Sequence, residues 1–210
     1  PPPTSSRQQR QMCIRDRDDN VSDGSQTSTL TLSSSSSDSY YSGLSDNLSI
    51  TTTDNDTAGF NLSKGTASVA ETGTTDNFSV VLSSEPTDNV TLALLNNDPN
   101  EVSVSPTTLT FSSGNWSTSQ VITLIGVDDN VSDDNQTTLL TLTPSGGDYG
   151  SVSAQTVTVT TSDNDTVGLV LSKSSALVSE NGSVSDNFSV VLRSEPTANV
   201  TLTLSDNDST

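Results

Sequence analysis

Two aspartates flanking a single asparagine occur as Asp54-Asn55-Asp56 and Asp163-Asn164-Asp165, each between two alternating runs, and a third time as Asp206-Asn207-Asp208, which by the internal repeat aligns instead with Asn96-Asn97-Asp98. Each puts two carboxylates within three residues, and no lysine or arginine adjoins them. Two such charges about 4 Å apart repel by roughly 4 kcal/mol at an effective dielectric near 20, so a cation is expected between them. Further acids stand in turn-rich stretches: Glu71, Asp98, and the run holding Asp128, Asp129, Asp133 and Asp134. Ca2+ takes six to eight oxygens at about 2.3–2.6 Å, which carboxylates from separate loops can supply. The expected metal set is therefore Glu71, Asp98, Asp128, Asp129, Asp133, Asp134, Asp163 and Asp165. The alternative is solvated acidic surface. Repetition favours binding, because Asp18, Asp19, Asp23, Asp54, Asp56, Glu180 and Asp208 hold matching positions elsewhere. An EF-hand over 128–139 does not fit: Asp133 stands where that loop needs glycine, and Leu139 where it needs a bidentate glutamate.

The rest of the composition narrows the field. The chain has 210 residues and a net charge of -19. Four of its seven basic residues lie in the first seventeen positions. Beyond them, 25 acidic and three basic residues remain, a net of -22. Such a surface repels nucleic acid and anionic membrane and attracts divalent cations. With Cys13 the only cysteine and no histidine, disulfides and His/Cys zinc sites are excluded. None of the many serines has a histidine to serve as its base. Paired carboxylates exist, but no aromatic-rich stretch offers a sugar cleft. The chain is not expected to be an enzyme.

The acids must be held by a scaffold, and an internal repeat describes it. Asp18–Asp23 recurs at 128–133, Asn77–Leu82 at 187–192 and Ser84–Thr87 at 194–197, each 110 residues on. That spacing approaches the roughly 100 residues of an immunoglobulin-like sandwich. With the Asp-Asn-Asp junctions as seams, the chain divides into four parts. Residues 1–17 are a non-native or disordered tail, whose 12–17 run resembles translated adaptor sequence. Residues 18–56 are the C-terminal part of one repeat, 57–165 a complete repeat, and 166–210 the N-terminal part of the next. The two partial repeats, with about two and four strands, cannot bury a full core alone and are expected to fray.

Short β-branched runs of period two predict strands over 59–63, 66–70 (a split first strand), 77–82, 90–95, 102–104, 109–111, 120–127, 138–143 and 155–161. Almost no helix is expected. Phe78, Val80, Leu82, Ile122 and Leu124 should face inward, and Trp116 should plug one end of the core. The acidic stretches fall in loops between these strands and should meet at one end of the sandwich.

In this order the motifs resemble Calx-β-type repeats: Val69-Ala70-Glu71-Thr72-Gly73 early, Gly126-Val127-Asp128-Asp129 through Asp133 before a late strand, and Asp163-Asn164-Asp165 at the end. The segment from Leu109 through Trp116 to Val127 also resembles repeats of large bacterial surface proteins. The resemblance implies an all-β, immunoglobulin-like (Calx-β-like) sandwich in tandem. It implies Ca2+ held by Glu71, Asp98, Asp128, Asp129, Asp133 or Asp134, Asp163 and Asp165. Asn130, Asn135 and Asn164 stand where more acidic members place carboxylates, which implies one site rather than several. The expected role is a calcium-stiffened stalk repeat of a secreted or cell-surface bacterial adhesin-like protein, whose partners are its neighbouring repeats. The alternatives are a module gripping an extracellular glycan or protein, or a Ca2+-sensing regulatory module.

Overall fold

The computed structural model describes residues 13–206; the first twelve residues and Asp208 lie outside it. It is all-β, with thirteen strands and one short 3-10 turn at Gly147–Ser151. Strands β1 (Gln26–Ser33) and β2 (Ser45–Thr52) form a hairpin. Nine more follow: β3 (Phe60–Leu62), β4 (Thr66–Ala70), β5 (Thr75–Leu82), β6 (Val90–Asn96), β7 (Val102–Ser105), β8 (Thr108–Phe111), β9 (Gln120–Gly126), β10 (Gln136–Ser145) and β11 (Gln155–Ser162). The last two are β12 (Leu169–Leu171) and β13 (Val190–Leu192).

Strands β3 to β11 build two sheets over one core. One sheet runs β4-β11-β10-β6-β8 and the other β3-β5-β9-β7. All pairs are antiparallel except β4 with β11. The split first strand thus serves both sheets, β3 in one and β4 in the other. Alternation sets the faces: Phe78, Val80, Leu82, Ile122 and Leu124 all point into the core, opposite Leu92, Leu140, Leu142, Val157 and Val159. Trp116 is half-buried against this core, and its carbonyl accepts the Leu82 N–H at 3.1 Å.

One buried polar group inside the fold, the Tyr149 hydroxyl, is fully paired. Tyr149, in the 3-10 turn, is fully buried, and its hydroxyl donates to the Ser84 carbonyl at 2.7 Å. The Ser84 N–H donates to the Tyr149 hydroxyl oxygen at 3.2 Å. Burying a phenol without such partners would cost about 1–3 kcal/mol.

Outside the sandwich, burial stops. Strand β1 is exposed along its whole length, and β2 nearly so. In 166–206, two three-residue strands stand where about four were expected. The stretches matching β4 and β6 there form no strand. In the sandwich those strands are held by β11 and β10, and 166–206 contains no counterpart of either.

Candidate metal centre

The parallel pairing of β4 with β11 creates the site. Parallel strands finish at the same end of a sheet, and the register Ser162↔Ala70 makes these two finish level. The next residues are Glu71 on one strand and Asp163 on the other. The Glu71 N–H extends the ladder by one bond, to the Ser162 carbonyl at 3.1 Å. One carboxylate oxygen from each of Glu71, Asp163 and Asp165 lies within 4.8 Å of the other two.

Glu71 is only 1% exposed. Its Oε2 accepts the Asn164 N–H at 3.1 Å. Burial pushes its pKa up, the Asn164 N–H opposes this, and the charges of Asp163, Asp129 and Asp133 add to the rise. Asp165 is raised as well, by burial and then by Asp163, Asp128 and Asp129. The two ion pairs among the described residues, Lys64–Asp76 and Lys173–Asp186, involve none of these acids.

Asp163 is held as a rigid acceptor. Its Oδ1 takes the Asp165 N–H at 2.6 Å and its Oδ2 the Asp134 N–H at 3.0 Å. The Asp163 N–H in turn donates to Asn135 Oδ1 at 3.2 Å. Asn164 donates its side-chain Nδ2 to Asp128 Oδ1 at 3.0 Å. Asn135, as acceptor, and Asn164, as side-chain donor, therefore tie the late loop to the end of β11, and the donor role of Asn164 is one that a carboxylate could not perform. Gly126 closes the floor: a Cβ there would fall on the Ala70 carbonyl, one residue before Glu71.

The remaining expected ligands are placed less centrally. Asp128 is joined through Asn164. Asp129 and Asp133 add to the charge felt by Glu71, and the Asp129 carboxylate caps its own turn at the Val131 N–H, 2.7 Å away. Asp134 has φ 66°, is exposed, and contributes its backbone N–H. Asp98 accepts the Asn100 N–H at 3.3 Å within its own loop and bears on the group through its effect on Glu101.

Glu101 was not foreseen. It is 7% exposed, and its Oε2 is buried without a hydrogen-bond partner. Burial raises its pKa, reinforced by Asp133, Asp98, Glu71 and Asp129. Its carbonyl is gripped by the Val127 N–H at 3.0 Å and Thr161 Oγ1 at 3.3 Å, at the ends of β9 and β11. An orphaned carboxylate oxygen facing like charges fits a cation, and an all-oxygen set without sulfur or imidazole fits a hard one.

The late loop also reaches the following segment. The Asn130 carbonyl accepts the Glu195 N–H at 2.5 Å. Sixty-five residues separate the partners, as they do at the other junction, where the Asn20 carbonyl accepts the Glu85 N–H at 2.7 Å. The loop geometry recurs with it: Asp54 takes the Asp56 and Gly24 N–H groups at 2.8 and 2.7 Å, and Asp19 takes that of Val21 at 3.0 Å. Asp18, Asp19, Asp23, Asp54 and Asp56 line one cleft.

No protein-family model and no curated protein sequence matches the chain. Among solved structures, an apo-form Calx CBD1 domain is similar over 50% of this chain and 96% of its own, at 18% identity and a TM-score of 0.40. CBD12 from CALX1.2 is similar over 55% and 48%, at 18% identity and a TM-score of 0.40. Domains 4 and 5 of the S-layer protein SbsC are similar over 65% and 76%, at 14% identity and a TM-score of 0.35.

Proposed function

We propose that the sandwich is a calcium-binding structural module of a tandem array, with the ion held at the seam between repeats. The observation that carries this reading is the approach of the Glu71, Asp163 and Asp165 carboxylates to within 4.8 Å of one another. Glu101 supplies the buried, unpartnered oxygen that a cation would satisfy. Glu71, Asp163 and Asp165 would hold the ion, with Glu101 and the Asp128–Asp134 loop around them. Calcium supplies the positive charge that removes their mutual repulsion.

The stiffening follows from the double duty of one loop. Residues 128–135 are tied to the acidic group through Asp128, Asp134 and Asn135, and to the next segment through Asn130. Fixing the loop on an ion therefore fixes the joint. Repeats joined in this way make a rod, the form suited to a secreted or surface-anchored adhesin-like protein that holds another domain away from a bacterial cell.

Thermal unfolding of the full chain, followed by fluorescence of its single tryptophan Trp116, tests the proposal in EDTA and across Ca2+ and Mg2+ series. Binding to the folded state alone stabilises by about 2.7 kcal/mol at a hundred times the dissociation constant. The midpoint is expected to rise with Ca2+ in preference to Mg2+, and Asp163→Asn to remove the rise. A cooperative transition indifferent to Ca2+ would leave the acids as solvated surface.

A further inference from the structure

A layer of buried polar side chains separates the apolar core from the acids. The buried inward positions of β10 run Thr138, Leu140 and Leu142, and those of β11 run Val157, Val159 and Thr161, so each strand turns polar at its acid end. Thr138 is 0% exposed, and its Oγ1 has no hydrogen-bond partner among the described residues. Glu101 Oε2 shares that condition. Valine would fill the place of Thr138 without a hydroxyl, and a buried hydroxyl left unsatisfied is only a cost to the fold. Two such groups at one end of the core call for a common partner.

Hydrogen bonds on both sides bring Glu101 over Thr138. Strand β10 lies between β11 and β6. Thr138 opposes Val159, so Thr161 is its diagonal neighbour on the same face, within about 7–8 Å. On the other side, Leu140 opposes Asn96. Both flanking side chains bind the loop that carries Glu101. Thr161 Oγ1 donates to the Glu101 carbonyl at 3.3 Å, and Asn96 Nδ2 donates to the Val102 carbonyl at 2.6 Å. Asn96 Oδ1 accepts the Asp98 N–H at 3.0 Å. The loop is thus strapped across the acid end of β10.

We propose that one water molecule is bound in this layer, held by Thr138 Oγ1, Glu101 Oε2 and Thr161 Oγ1. A buried water makes about three hydrogen bonds, and here the protons balance. The Thr138 hydroxyl donates to the water. The water donates to Glu101 Oε2 and to Thr161 Oγ1, whose own proton is committed to the Glu101 carbonyl. Three side-chain oxygens with one charge among them suit water; Ca2+ takes six to eight. Thr138 is then a positioning residue. Through the water it holds the Glu101 carboxylate, which keeps further lone pairs for the ion proposed above. The water site needs no calcium to form, so it stands or falls apart from the calcium reading.

Thermal unfolding of the full chain in EDTA, followed by Trp116 fluorescence, tests it with Thr138→Val in the parent chain and in a Glu101→Leu background. In the parent, Thr138→Val is expected to lower the midpoint by about 4–8 °C, the shift that losing one net hydrogen bond gives a domain of about 100 residues. In the Glu101→Leu background, where the water has lost its charged partner, the same change is expected to be neutral or stabilising. A midpoint that rises in the parent would show a hydroxyl with no ligand, and an equal fall in both backgrounds would show a partner unrelated to Glu101; either overturns the inference. Should Glu101→Leu fail to fold, NMR cross-relaxation with solvent decides on the parent chain alone. A long-lived water contact is expected at the Thr138 and Thr161 methyl groups, and its absence would overturn the inference.

Discussion

The backbone N–H of Asn164 donates to Oε2 of Glu71 at 3.1 Å, across 93 residues of chain. This bond joins the ends of the first and last strands of one sheet and places a buried carboxylate against two others. Nothing local to either residue determines it; the parallel register of β4 and β11 does.

Glu101 is the sharpest test of the site. Its buried Oε2 has no partner, and an orphaned buried group of this kind costs about 1–3 kcal/mol, more when charged. Glu101→Gln removes a charge that burial and four neighbouring acids oppose. The metal-free midpoint is therefore expected to rise, while the further rise produced by calcium shrinks. A variant less stable without metal and equally responsive to calcium would place Glu101 outside the site.

The acid group also sets a pH dependence. Glu71 and Glu101 have folded-state pKa values above the ordinary glutamate value of 4.5. Between the unfolded and folded values the native state binds more protons, so stability falls as pH rises. Their contribution is complete below the ordinary value and is lost as pH climbs through the folded values. Asp76 acts oppositely: the Lys64 contact lowers its pKa, so its contribution is lost as pH falls through that lowered value. In EDTA the midpoint should drop as pH is raised from about 4.5, and saturating calcium should flatten the drop by favouring the charged forms. A metal-free midpoint that climbs steadily over that range would contradict these shifts.

Gly126 links packing to the site. Any side chain there meets the Ala70 carbonyl, so Gly126→Ala must move the end of β4, which carries Glu71. Overpacking of this kind costs about 1–3 kcal/mol. Calorimetry should show both a lower midpoint and weaker calcium binding. A stability loss with unchanged calcium binding would mean that the site tolerates the shift.

Tyr149→Phe separates fold from site. It removes the hydroxyl that serves Ser84 at 2.7 Å to the carbonyl and 3.2 Å to the N–H. The expected loss is about 1–3 kcal/mol, measurable by denaturant unfolding. Calcium binding to the folded protein should be unaltered, because Tyr149 lies in the turn between β10 and β11, away from the acids.

Much of the sandwich was legible because period-two runs such as Phe78-Ser79-Val80-Val81-Leu82 set strand and face together, with no long-range information needed. Repetition singled out the acids as candidates, of which the structure brings Glu71, Asp163 and Asp165 together. Glu101 escaped that criterion: its counterpart one repeat on would fall just past residue 210. Nor could the roles of Asn135 and Asn164 be read from the chain. Both bond to loops brought near only by strand pairing, so asparagine looked like a missing carboxylate. The two strands missing from 166–206 have a similar cause. A run such as Thr201-Leu202-Thr203-Leu204 carries the alternation, but a strand also needs a neighbour.

The parallel pair of β4 and β11 has a mechanical consequence. The chain enters the sheet at the start of β4 and leaves it at the end of β11, at opposite ends of that pair. Tension along the chain therefore drags the two strands past each other lengthwise, loading their hydrogen bonds together in shear rather than peeling them one at a time. The acidic group sits at the end where β11 exits, so an ion bridging Glu71 to Asp163 would act as a lock on the sliding direction.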